Sequence, residues 1–127
     1  VAAKGLGGLL QVVHLLGVVT LFTALGGTVL HALNGGTRHS NAGRGLVAAL
    51  HGISLLLILI GGFGMMARLG IAQSGFPGWI YAKLGIWVAL PFLGMLGARK
   101  PEYSRITMIL MPIVGGLAAW IAIYKPF

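Results

Sequence analysis

The sequence predicts an all-α integral membrane protein, a bundle of four transmembrane helices. Three observations carry this. Of its 127 residues, 57% are hydrophobic and 8% charged, against about 25% charged in an average soluble domain. A single acid, Glu102, stands against nine Lys and Arg, too few charges to cover a water-soluble surface of this size. Four apolar stretches follow one another, at about 6–33, 45–67, 79–98 and 106–123. Each is close to the ~20 residues that cross a ~30 Å hydrocarbon core as a helix. An ordinary soluble enzyme and a disordered chain are both excluded, and 1–127 reads as one transmembrane domain.

The first stretch, Leu6 to Leu33, is the longest and is expected to tilt or to extend beyond the lipid. The polar, glycine-rich turn Asn34-Gly35-Gly36-Thr37-Arg38-His39-Ser40-Asn41 ends it. The second stretch runs to Ala67 and is followed by Ala72-Gln73-Ser74-Gly75-Phe76-Pro77-Gly78. The third, opened by Trp79 and Tyr81, stops at the charged turn Arg99-Lys100-Pro101-Glu102-Tyr103-Ser104-Arg105, whose proline breaks the helix. The fourth closes on Trp120 and Tyr124. Those four aromatics then fall at one interface, as an aromatic belt requires. Pro91 and Pro112 lie inside the third and fourth spans and are expected to kink them.

Orientation follows from the basic residues. Loops one and three share a side and carry Arg38, Arg44, Arg99, Lys100 and Arg105. The other side has Lys4, Arg68, Lys125 and Lys83. The denser clusters place loops one and three in the cytoplasm, where the five loop cations meet lipid headgroups. Ser40 and Ser104 then face the cytoplasm and Ser74 the opposite side. A formal net charge of +8 is therefore a membrane feature, and nucleic acid is not an expected partner. The chain opens on Val1, which points to a removed leader or an unrepresented start. Val1 to Gly8 alone does not read as a signal peptide.

Twenty-two glycines predict close helix packing. Lipid supplies no hydrophobic drive between helices, and small residues that let backbones approach take its place. Gly45, Ala49 and Gly52 form one such stripe, and Gly115 and Ala119 another. They are expected to pack helices against each other or against neighbouring subunits, so other membrane subunits or a homo-oligomer join the lipid bilayer as expected partners.

No span contains Asp or Glu, which argues against a proton-coupled carrier that cycles a membrane carboxylate. The candidate chemistry rests on histidines. His14 lies beside Gln11 in the first span. His31 shares a face with Thr20, Thr23 and Gly27, and His51 shares one with Ser54, Ile58 and Gly61. His39 belongs to the first loop. His14, His31 and His51 are the candidate cofactor-binding residues, for haem b held by two imidazoles. Depth opposes a pair within one chain: at 1.5 Å per residue His14 and His51 differ by roughly 15 Å along the membrane normal. No cofactor is assigned, haem b remaining the alternative. His14 and His51 are expected instead to hydrogen-bond between helices. Lys83 is expected to snorkel, and the five methionines read as packing rather than as a metal site. No catalytic residue or metal ligand is assigned, and an enzyme is not expected.

Val13-His14-Leu15-Leu16-Gly17, Leu50-His51-Gly52, Gly78-Trp79-Ile80-Tyr81-Ala82-Lys83-Leu84 and Gly97-Ala98-Arg99-Lys100 together resemble small bacterial four-helix membrane proteins of the SirB and CopD type. The resemblance implies a bacterial inner-membrane protein with His14 and His51 as the matching histidines. It relates the chain to proteins linked by name to copper handling and to regulation, and it transfers no catalytic residue. Three functions fit the sequence. One is a structural or accessory subunit of a larger membrane complex, respiratory or photosynthetic. The second is a haem b- or quinone-binding anchor of an electron-transfer complex. The third is a small oligomeric transporter or channel.

Overall fold

The computed structural model describes residues 2–70 and 75–127, with side chains from Gly5 onward. It contains four long helices: α1 (Ala2–Leu33), α2 (Arg44–Arg68), α3 (Gly78–Arg99) and α4 (Ser104–Tyr124). A 3-10 turn, Pro101–Tyr103, precedes α4. All four helices are long and apolar enough to cross a membrane, so the chain has the architecture of an integral membrane protein.

The turns are built by local chemistry. α1 ends where Gly35 takes a left-handed φ of 86°. The Gly36 amide then reaches the His31 carbonyl at 2.9 Å and the Gly35 amide the Ala32 carbonyl at 3.0 Å, the paired closure that glycine at this position allows. Asn41 Oδ1 accepts the Gly43 amide at 3.0 Å and turns the chain into α2. Pro77 precedes α3, and Pro101 opens the 3-10 turn, where its missing N–H costs nothing. The Ser104 hydroxyl donates to the Pro101 carbonyl at 2.6 Å and is fully buried. Ser104 is therefore not the exposed cytoplasmic position expected of it. Ser74 lies outside the described residues. α3 and α4 continue as helix through Pro91 and Pro112.

α1 is the centre of the bundle. It packs along α2 and also touches α3 and α4, which pack on each other, whereas α2 rests almost entirely on α1. Glycines make these contacts short. A Cβ on Gly17 would lie 2.8 Å from Ile58 N, and one on Gly61 would lie 2.6 Å from His14 N. A Cβ on Gly94 would lie 2.5 Å from Leu25 Cδ2, and one on Gly97 would lie 3.0 Å from Thr107 Cβ. Gly17 and Gly61 meet backbone and admit no larger side chain without moving a helix, whereas at Gly94 and Gly97 the opposing side chain must give way.

The stripes chosen from sequence divide differently. Gly115 does pack inside the bundle, against the Phe22 ring. Gly45, Ala49 and Gly52 are exposed, with open space around Gly45 and Gly52. Within the chain this second-helix stripe is not a contact face, which leaves neighbouring subunits as the other expectation for it; Ser54, Ile58 and Gly61 take the side that faces α1.

The tight core, Leu21, Leu25, Val29, Leu90 and Met111, lies from mid-membrane toward loops one and three. Among the described residues α2 and α3 make no substantial contact with each other. The exposed leucines, valines and isoleucines, such as Leu9, Val19, Leu56 and Ile113, form the lipid-facing surface.

Candidate functional site in the membrane cleft

A cleft of about 670 Å³ lies among all four helices, within the ~300–1,000 Å³ range of small-molecule sites. Most of its wall is apolar: Val18, Phe22, Leu59, Ile86 and Leu90 are representative. Its polar side chains are few. Gln11 and His14 come from α1, Lys83 and Trp87 from α3, and Trp79 and Lys125 stand at the outer end. From a 1.5 Å rise per residue, His14 and Lys83 lie about 8 Å from the middle of their spans, on the side of the chain ends.

His14 is held by α2. Its Nδ1 donates to the Ile58 carbonyl at 2.9 Å. Gly61 and Gly62 make room for this, because a Cβ on Gly61 would strike the His14 backbone and one on Gly62 would lie 3.4 Å from the imidazole. The interhelical hydrogen bond expected of His14 is thus present, although its acceptor is a main-chain carbonyl. A carbonyl oxygen can only accept, so the Nδ1 carries a proton. In the neutral imidazole Nε2 is then a bare acceptor, and no group among the described residues pairs with it.

The facing wall offers donors. Lys83 is half-buried and lines the cleft. Trp87 Nε1 is buried without a hydrogen-bond partner, which costs about 1–3 kcal/mol when left unmet. No Asp or Glu lines the cleft. At the outer end Lys125 Nζ stands 5.3 Å from the centre of the Trp79 ring, and the Trp79 amide donates to the Phe127 carbonyl at 3.2 Å. Phe63 of α2, Phe76 just before α3 and Tyr81 of α3 form a chain of rings with successive centroids 6.0 Å apart.

The three candidate histidines are not brought together. His14 sits level with Gly61, ten positions along α2 from His51, a separation of about 15 Å. The His51 imidazole makes no hydrogen bond among the described residues; only its carbonyl is used, by the Ser54 hydroxyl at 2.8 Å. His31 is seventeen positions from His14 and closes loop one: its Nε2 approaches the Ser40 Oγ at 2.9 Å and the Thr37 carbonyl at 3.0 Å. Arg38, Arg44, Arg99, Lys100 and Arg105 are all exposed at that same end, and Arg44 donates to the His39 carbonyl at 3.0 Å. Among the described residues no three His, Cys, Asp or Glu side chains converge on a metal position.

Sequence reasoning missed Trp87 and the role of Gly62. Trp87 had a visible signal: it lies near the middle of its span, away from both interfaces where tryptophan normally finds a polar partner. No family model, curated protein or solved structure matches the chain.

Proposed function

We propose that this chain is a quinone-binding membrane anchor, a subunit that holds a lipid-soluble carrier for a redox partner in a larger membrane complex. The observation that carries this reading is the cleft, with hydrogen-bonding groups from two helices inside apolar walls. Lys83, a half-buried donor on the cleft wall, suits a ligand that brings acceptor oxygens. At about 8 Å from mid-membrane a neutral head is far less costly than a phosphate. A quinone is neutral, carries two carbonyl acceptors and trails an apolar tail. The mostly apolar wall of the cleft suits the start of that tail.

Photolabelling with an azido-substituted quinone in nanodiscs tests the reading. Labelling on α1 near His14 and on α3 near Lys83, suppressed by excess unlabelled quinone, is expected. Labelling that excess quinone does not suppress overturns it.

One further observation supports membership of a complex. The smooth outer face of α2 at Gly45, Ala49 and Gly52 is shaped for close approach by another helix, from an accessory partner or a second copy. The native mass of the assembly, with and without Gly52→Leu, tests this. An assembly unaltered by the substitution removes that face from the interface.

A further inference from the structure

The two walls of the cleft differ in hydrogen-bonding sense. His14 spends its Nδ1 proton on the Ile58 carbonyl at 2.9 Å, so in the neutral ring Nε2 can only accept. Lys83 Nζ, as an ammonium, can only donate. An oxidised quinone has carbonyl acceptors at both ends: it satisfies the α3 wall and meets a lone pair on α1. A hydroquinone satisfies both walls, with one hydroxyl donating to His14 and the other oxygen accepting from Lys83.

We infer, on the basis of the quinone-site reading, that the cleft is built for the reduced, dihydroxy form of its ligand and that His14 Nε2 is the acceptor for one of its hydroxyl protons. The step is a proton transfer alone. The ligand O–H bond breaks, an N–H bond forms at Nε2, and the electron pair stays on the ring oxygen. The products are a hydroquinone mono-anion and an imidazolium. Three features of the cleft suit that pair. The imidazolium keeps its Nδ1–H bond to Ile58. Lys83 lies on the same cleft, and its ammonium form attracts the anion while opposing the imidazolium. No carboxylate lines the cleft to compete for it. Gly61 and Gly62 are positioning residues, since they let the imidazole lie against α2 with Nδ1 on the carbonyl.

The test uses the full chain in nanodiscs, with decylubiquinol and decylubiquinone as probes and quenching of tryptophan fluorescence as the readout. One good hydrogen bond corresponds to about a fivefold difference in Kd, so the wild-type chain is expected to bind the quinol about fivefold tighter than the quinone. His14→Asn retains an amide that can reach the Ile58 carbonyl and loses the Nε2 acceptor. It is expected to lose the preference for the quinol over the quinone. Equal binding of the two forms by the wild-type chain overturns the inference while leaving the quinone site standing. An undiminished preference in His14→Asn does the same. Failure of both probes to bind overturns the underlying reading as well. Nitrogen NMR of labelled histidine gives a readout that needs no variant: a protonated Nδ1 and bare Nε2 at His14 are expected in the free chain, and the reverse tautomer overturns the inference.

Discussion

Gly61 of α2 and His14 of α1 meet backbone to backbone: a Cβ on Gly61 would lie 2.6 Å from His14 N and 2.8 Å from its Cα. This contact sets the level at which α2 leans on α1 and thereby holds the imidazole under the Ile58 carbonyl. Gly61→Ala must push the helices apart or tilt one of them, at a cost of about 1–3 kcal/mol for overpacking. Gly17→Ala, whose Cβ would meet Ile58 N at 2.8 Å, is expected to behave in the same way. Gly52→Ala, placed in open space, is expected to leave stability unchanged or to raise it by up to ~1 kcal/mol through helix propensity. Unfolding of the three variants in detergent checks the order.

Orientation can be read by chemical labelling at positions the structure shows to be exposed. Ser40 and Glu102 lie at the loop-one and loop-three end, and Tyr124 at the other. Cysteines at Ser40 and Glu102 are expected to react with a membrane-impermeant thiol reagent from the cytoplasmic side, and a cysteine at Tyr124 from the opposite side. The positive loops set this expectation. Reaction of all three from one side contradicts four spans, and inversion of the pattern reverses the assigned topology.

Much of this architecture was legible because it follows from composition. Twenty apolar residues with few charges must become a helix in lipid, where every backbone group needs an internal partner. The four spans and their ends at Gly35, Pro77 and Pro101 follow from that rule together with turn chemistry. The side each helix presents to its neighbours was not legible. Gly45-Ala49-Gly52 and Ser54-Ile58-Gly61 are equally plausible contact faces by spacing. Which one α1 takes depends on the whole packing solution, since lipid-facing and protein-facing residues are alike apolar. The cleft was hidden for the same reason: it arises where α2 and α3 fail to meet, a property of no single segment. His14 was legible as a polar group needing a partner, but not that its partner would be a carbonyl forty-four positions away.

Loop one should depend on His31. Its Nε2 lies 2.9 Å from Ser40 Oγ and 3.0 Å from the Thr37 carbonyl, while Ser40 Oγ also accepts the Thr37 amide at 2.8 Å. His31→Ala removes the side chain on which this turn closes. The expected cost is about 0.5–1.5 kcal/mol, concentrated in loop one. Hydrogen exchange at Thr37 is expected to accelerate, with α3 and α4 unchanged. Unchanged exchange in the loop means that Ser40 and Thr37 hold the turn alone.

The histidine positions also bear on haem. His14 and His51 are separated by about 15 Å along α2, and His31 belongs to the loop-one end. The chain on its own is expected to show no haem b absorption after purification with haem supplied during expression. His14→Ala and His51→Ala are expected to leave the spectrum as it was. A Soret band abolished by either substitution means that the imidazole is an axial ligand, with its second ligand supplied by another part of the assembly.

Trp87 offers a test in which stability and binding move in opposite directions. Its Nε1 is buried and unpaired, so the free protein carries the cost of a desolvated donor. Trp87→Phe removes that donor and keeps most of the aromatic surface, although it leaves a small void where the second ring was. A donor that only burdens the fold should be dispensable, and the variant is expected to unfold at the same stability as the parent or about 1 kcal/mol above it. If the donor instead meets a ligand oxygen, its loss should weaken quinone binding about fivefold. Binding is best followed here by competition with the azido-quinone, because the substitution also removes a fluorophore. Trp87→Phe with lower stability and unaltered competition means that the indole serves packing alone, and the acceptor oxygen then belongs to Lys83.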